Sequence, residues 1–181
     1  MVSLKTAGLR FNSKMYRSDD FPFEGTIEPD AEGKIIGYDF TSPRRLLRVS
    51  ADCQVKTLDI IRDVMNRWYL LADHDGSFAY NVVEFRTHML IPLNKNVSWQ
   101  REETVIDPLT QREKSIGKVD LGNIWVLLER VNREQTDGTM RVKEETLTCF
   151  TASPLKLNDI IDKMVVKRVN IVRGVYLAEL Q

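Results

Sequence analysis

The side chains able to act as base, thiol nucleophile or soft-metal ligand near neutral pH are two histidines and two cysteines. A nucleophile–base pair needs a Ser, Cys or Thr beside a His. His74 lies between Asp73 and Asp75 in a turn-forming run and reads as solvated surface. His88 lies among strand-like residues and reads as structural. Cys53 and Cys149 are far apart and lack metal-ligand spacing, so they form neither a zinc site nor a disulfide framework. They read as small buried hydrophobes in a reducing compartment. Asp73-His74-Asp75-Gly76 looks like the start of a calcium loop, but the downstream acidic ligands are absent. There is no glycine-rich phosphate loop, no Walker pattern and no His-Glu-x-x-His, and no carboxylate pair stands out from a charged surface. The expectation is a protein with no catalytic residues, no metal, no cofactor and no small-molecule substrate.

What remains is surface. The 26 basic residues balance the 26 acidic ones, so bulk charge selects neither nucleic acid nor acidic membrane. Local charge is less even. Lys5, Arg10, Lys14 and Arg17, with Phe11 among them, precede an acidic block from Asp19 to Glu32 that contains Phe21 and Phe23. Such blocks suit a flexible interaction arm over residues 1–33, able to touch anionic lipid peripherally or a neighbouring subunit. Trp99 is the one aromatic side chain in a polar excursion over about 94–118 and joins these candidate contacts. Two basic clusters, Arg44, Arg45 and Arg48, then Lys163, Lys167 and Arg168, suit phosphate or an acidic partner. Val2 excludes N-myristoylation, and no signal-peptide pattern or bilayer-length apolar run occurs.

The elements that must position these residues read as α+β: one mostly antiparallel sheet with two principal helices packed on it, spanning 34–181 behind the flexible arm. Leu46 to Val49 is a short apolar strand. Thr57 caps a helix whose stripe is Leu58, Ile61, Val64 or Met65, Trp68 and Leu71, with Asp63 and Arg67 one turn apart on its solvated face. Asp73 to Gly76 turns the chain into a strand over Ser77 to Phe85, and His88 to Leu93 continues it. Lys34 to Phe40 is a further short strand. Ile124 to Leu128 is apolar on both faces, as a central strand is. Asp137-Gly138 marks a hairpin into Met140 to Phe150. Ser153-Pro154 opens a second helix with Leu157, Ile160 or Ile161 and Met164 on its stripe. Val169 to Leu180 is strand-like, with a break at Gly174. The segments before and through Asp59-Ile60-Ile61 and Asp159-Ile160-Ile161 echo each other, as a weak internal duplication would or, more simply, as any two strand-to-helix units would.

Over Leu46 to Val49, Thr57 to Tyr69 and Gly76 to Phe85, the order strand, helix, turn, aromatic-rich strand resembles the globular domain of rhabdovirus matrix proteins. Gly122 to Val131, Glu145 to Phe150 and the helix from Ser153 to Lys163 follow that family's closing order. The resemblance implies a non-enzymatic viral structural protein that self-associates, condenses the nucleocapsid and links it to the membrane during virion assembly. Its settings would be the virion, the host cytoplasm and inner membrane surfaces. No Pro-Pro-x-Tyr or Pro-Thr-Ala-Pro budding motif occurs, an absence that counts against animal-type budding and less against a plant-infecting member. The strand order is also similar to a ubiquitin-like Ras-association domain, an adaptor in which Arg44, Arg45 and Arg48 would meet a small GTPase. The helix from Ser153 has no place in that second fold.

Overall fold

The computed structural model describes residues 13–29, 38–39, 45–73, 85–137 and 140–181. Thirteen strands run through them. They are β1 (Ser13–Arg17), β2 (Pro22–Pro29), β3 (Tyr38–Asp39), β4 (Arg45–Ser50), β5 (Ile60–Asp63), β6 (Trp68–Asp73) and β7 (Phe85–Leu93). After these come β8 (Lys95–Ile106), β9 (Glu113–Asp137), β10 (Met140–Thr151), β11 (Ile160–Ile161), β12 (Met164–Val172) and β13 (Val175–Leu180). Among the described residues there is no helix, so the α+β expectation, with two helices on a single sheet, is overturned by an all-β architecture. Residues 13–29, read as part of a flexible arm, are strands β1 and β2, because Met15 and Phe23 are core residues. The expected turn lies outside the described residues from His74 through Gly76, as does most of the strand expected from Ser77.

The chain forms two compact units. The first runs to Leu93 and takes in Val172–Val175; the second holds Asn94–Ile171 and Tyr176–Gln181. In the first, six strands close an antiparallel barrel in the order β1-β2-β4-β7-β6-β5, and β5 returns to β1. Alternate residues point inward, so Met15, Leu47, Val49, Ile61, Leu71 and Leu90 meet inside it. Gly25 keeps the wall thin, since a Cβ there would stand 2.7 Å from Leu47 Cδ1 and 2.9 Å from the Arg48 carbonyl oxygen. Val172–Val175 completes this unit: the Asp73 N–H donates to the Arg173 carbonyl at 2.7 Å. Gly174, at φ +78°, packs where a Cβ would meet Thr57 Cγ2 at 2.8 Å.

In the second unit the order is β8-β9-β10-β13-β12-β11, and β11 returns to β8. The two rings therefore match strand for strand. The core positions match as well. Met15 corresponds to Val97, Val55 to Leu155, Ile61 to Ile161, Leu71 to Val166 and Leu90 to Leu180, and all ten are buried.

The same turn enters both short strands. Asp59 N–H donates to the Lys56 carbonyl and Asp159 N–H to the Lys156 carbonyl, while each aspartate accepts the lysine's N–H on Oδ2 at 3.0 and 2.9 Å. The third residue of each turn is left-handed, Leu58 at φ +74° and Asn158 at φ +67°, which is the type II pattern. Leu71 N–H then donates to the Asp59 carbonyl and Val166 N–H to that of Asp159. The echo around the two Asp-Ile-Ile runs is thus a repeat of whole barrels rather than of strand-to-helix units.

The expected helices fail for a physical reason. Leu58, Val64 and Met65 are exposed, so their stripe has no core to bury against. The β-branched Ile60-Ile61 and the aromatic-rich Trp68 to Leu71 pair as strands instead. Asp63 and Arg67 do pair, at 2.6 Å, but across the turn that joins β5 to β6. Asp63 is buried and accepts the N–H groups of Met65 and Arg67, both at 2.9 Å. From Ser153 the chain runs through the Lys156–Asp159 turn into β11. Asp162 and Lys163, at φ +50° and +71°, then make a two-residue hairpin into β12.

Candidate assembly surface

Where the first barrel joins β1 to β2 by a tight turn, the second carries an arm. β8 and β9 continue as a ladder past the barrel, through Arg101 with Val119, Glu102 with Lys118 and Thr104 with Ser115 to Ile106 with Glu113. The polar excursion expected over about 94–118 is this pair of strands. The base is clamped. Asp159 is 1% exposed, and it accepts from Arg101 Nε at 2.7 Å, Arg101 Nη2 at 2.8 Å and Trp99 Nε1 at 3.0 Å. Arg101 Nη2 also donates to the Pro154 carbonyl, and its guanidinium lies 5.1 Å from the Trp99 ring centroid. Burial would raise the Asp159 carboxyl's pKa, but the Arg101 guanidinium, the Lys156 N–H and the Trp99 N–H outweigh it and hold it below the usual carboxylate range.

The tip is a built turn. Asp107 Oδ1 accepts the Leu109 N–H at 2.8 Å and the Thr110 N–H at 3.3 Å, and these bonds hold its carboxyl low. Asp107 N–H donates to the Arg112 carbonyl, and Gln111 N–H donates to the Asp107 carbonyl with Gln111 left-handed at φ +54°. Beyond the base no described side chain of the arm is fully buried. Leu109 is 93% exposed, Ile106 61% and Ile116 60%, and Val105 and Leu121 are exposed too. Apolar side chains gathered on one projection of this kind mark interaction surfaces. Among the described residues no strand pairs with the outer edge of β8 from Glu102 to Ile106, because β11 meets β8 only at Trp99 and Gln100.

The contact residues expected from sequence are scattered. Lys5, Arg10, Phe11 and Arg44 lie outside the described residues. Lys14 and Arg17 are on β1; Lys14 Nζ lies 5.7 Å from the Tyr16 ring and Arg17 pairs with Asp19 at 2.6 Å. Asp19 and the N–H of Phe21 make one turn with Arg17, and the carboxyl of Asp19 is drawn down to about 2, chiefly by the Arg17 side chain. Phe21 is exposed there, whereas Phe23 is in the barrel core. Trp99 is half-buried at the root of the arm. Arg45 and Arg48 are on β4, with Arg48 3.2 Å from Glu28. Lys163 is in the β11–β12 turn. Lys167 and Arg168 are neighbours on β12 and so point to opposite faces, with Arg168 3.4 Å from Glu179.

Sequence reading missed Asp159 and Arg101. The signal that could have found them is the repeated Lys-x-x-Asp-Ile-Ile at Lys56 and Lys156.

Among the described residues no group of three or more His, Cys, Asp or Glu is placed to hold a metal ion. His88 shares the inner face of β7 with Leu90 and sits opposite Leu47 on β4. It is buried, and neither ring nitrogen has a hydrogen-bond partner. Burial first, then the Arg86 charge, depresses its pKa against the weaker pull of Asp73 and Asp59. Cys149 is fully buried in the second core and its thiol is pushed up to about 12 by burial, while Cys53 is half-buried against the first.

No protein-family model matches the chain, and neither a curated protein nor a solved structure matches it.

Proposed function

We propose that this chain is a non-catalytic structural protein that works by associating with copies of itself. One observation carries the reading: the β8–β9 arm holds Val105, Ile106, Leu109, Ile116 and Leu121 in water while adding nothing to its unit's core. Each such side chain taken out of water on docking is worth about 1.5–3 kcal/mol, a return the isolated arm forgoes. From Arg101 to Asp120 the arm carries four basic and five acidic residues, so it offers no one-signed field for nucleic acid or anionic lipid.

A virion setting, with nucleocapsid and membrane as further partners, came from a strand-helix-strand pattern. Thr57 to Tyr69 and Ser153 to Lys163 are strands and turns, so the pattern that suggested that setting is gone, and the proposal keeps self-association alone. The Ras-association reading likewise needed a helix over Thr57 to Tyr69.

Light scattering and sedimentation velocity over a wide range of concentration and salt test the proposal. Reversible self-association is the expected result, and a chain that stays monomeric at every concentration overturns it.

A further inference from the structure

The self-association proposed above leaves open which surface docks, and resting on that reading, we infer that the occupant of the free β8 edge is the same edge of a second copy, the two β8 strands pairing antiparallel about a two-fold axis at Thr104. Isologous contact of this kind needs a strand whose sequence complements its own reverse. β8 has one. Centred on Thr104, the pairing sets Glu103 against Val105 and Glu102 against Ile106, the last residue of β8. No like charges then stand directly opposite, and each glutamate's neighbour across the axis is an exposed β-branched side chain.

The backbone is ready for it. Both irregularities of the β8–β9 ladder put the extra residues on β9, which has three steps against two between Ser98 and Gln100 and two against one between Glu103 and Thr104. β8 keeps unbroken alternation, and its outward N–H and C=O groups from Glu102 to Ile106 are unpaired by any described strand. The comparison within the chain points the same way. The matching β1–β2 hairpin of the first barrel is turned by Arg17 to Phe21 and has no such extension, so the arm is an addition to a shared template and not a requirement of barrel closure.

Disulfide trapping tests the axis. In a Cys53→Ser background, Thr104→Cys should oxidise readily to a covalent dimer, whereas Glu102→Cys, displaced from the axis, should not. Thr104→Lys sets two ammonium groups face to face and should weaken association by roughly tenfold. Replacing residues 102–118 by an Asn-Gly turn between the paired Arg101 and Val119 should give a folded monomer, with far-UV circular dichroism reporting the fold. Association that persists in both the Thr104→Lys and the shortened chains sinks the β8 interface and leaves self-association standing. A wild-type chain that never associates sinks both.

Discussion

Asp159 concentrates much of the second barrel's polar energetics in one carboxylate. It serves the Lys156 N–H, the Trp99 indole and both arms of the Arg101 fork. Removing it strips the Trp99 indole N–H and Arg101 Nε of their acceptor and leaves Arg101 the Pro154 carbonyl alone, so Asp159→Ala should cost about 3–5 kcal/mol, read as a lower denaturation midpoint with an unchanged slope. Its folded pKa is depressed, so the stability it supplies is present above the ordinary carboxylate value of 3.8 and is lost as pH falls through its folded value. His88 acts in a higher window. The folded pKa lies below the ordinary 6.5, so the fold binds fewer protons than the unfolded chain, and stability present above pH 6.5 declines as pH falls through the folded value. Charged and titratable groups around it are Arg86 on its own strand, Asp73 on β6 and Asp59 in the turn before β5. A urea-midpoint profile should show an upper acid step that His88→Leu removes; an unaltered profile would assign that step elsewhere.

At the scale of elements, the repeated turn offers an internal control. Leu58 and Asn158 hold the same left-handed position, but a leucine there is strained where an asparagine is at ease. Leu58→Asn should therefore stabilise the first barrel by about 0.5–1 kcal/mol, seen as a rise in Tm; a fall would show that the partly exposed leucine side chain contributes more by packing than the strain costs. The strands were legible where apolar runs were short and bounded. Leu46 to Val49 falls inside β4, Ile124 to Leu128 inside β9, and Val169 to Leu180 breaks at Gly174 where β12 turns into β13. Ile60 to Leu71 was not legible as strands because its signals are shared by two structures. Asp63 and Arg67, four apart, pair equally well along a helix or across a tight turn, and Asp-Ile-Ile before a polar run satisfies either period. The arm was legible only as a polar excursion with Trp99 in it. Its pairing depends on Glu102 to Ile106 meeting residues after a turn whose Asp107 geometry local composition only hints at.

At the scale of the whole molecule, each unit encloses its own apolar cluster, and each cluster has a cysteine: Cys149 within the second, Cys53 packed against the first. Thiol labelling can therefore follow the two separately. Cys149, fully buried, should react only when its barrel opens, and Asp159→Ala should speed its labelling while leaving that of Cys53 unchanged. Equal acceleration of both would show that the two open as one.

The four residues Val172–Val175 have a consequence for how the protein is made. They belong to the first barrel's unit, with Gly174 seated against Thr57 and Asp73, yet they are translated long after Leu93. A ribosome that has finished the six strands of the first barrel still holds it without that last piece. Its six strands close on one another without that piece, so the barrel should form early in synthesis, and the surface at Thr57 and Asp73 should gain its cover only when the chain is nearly complete.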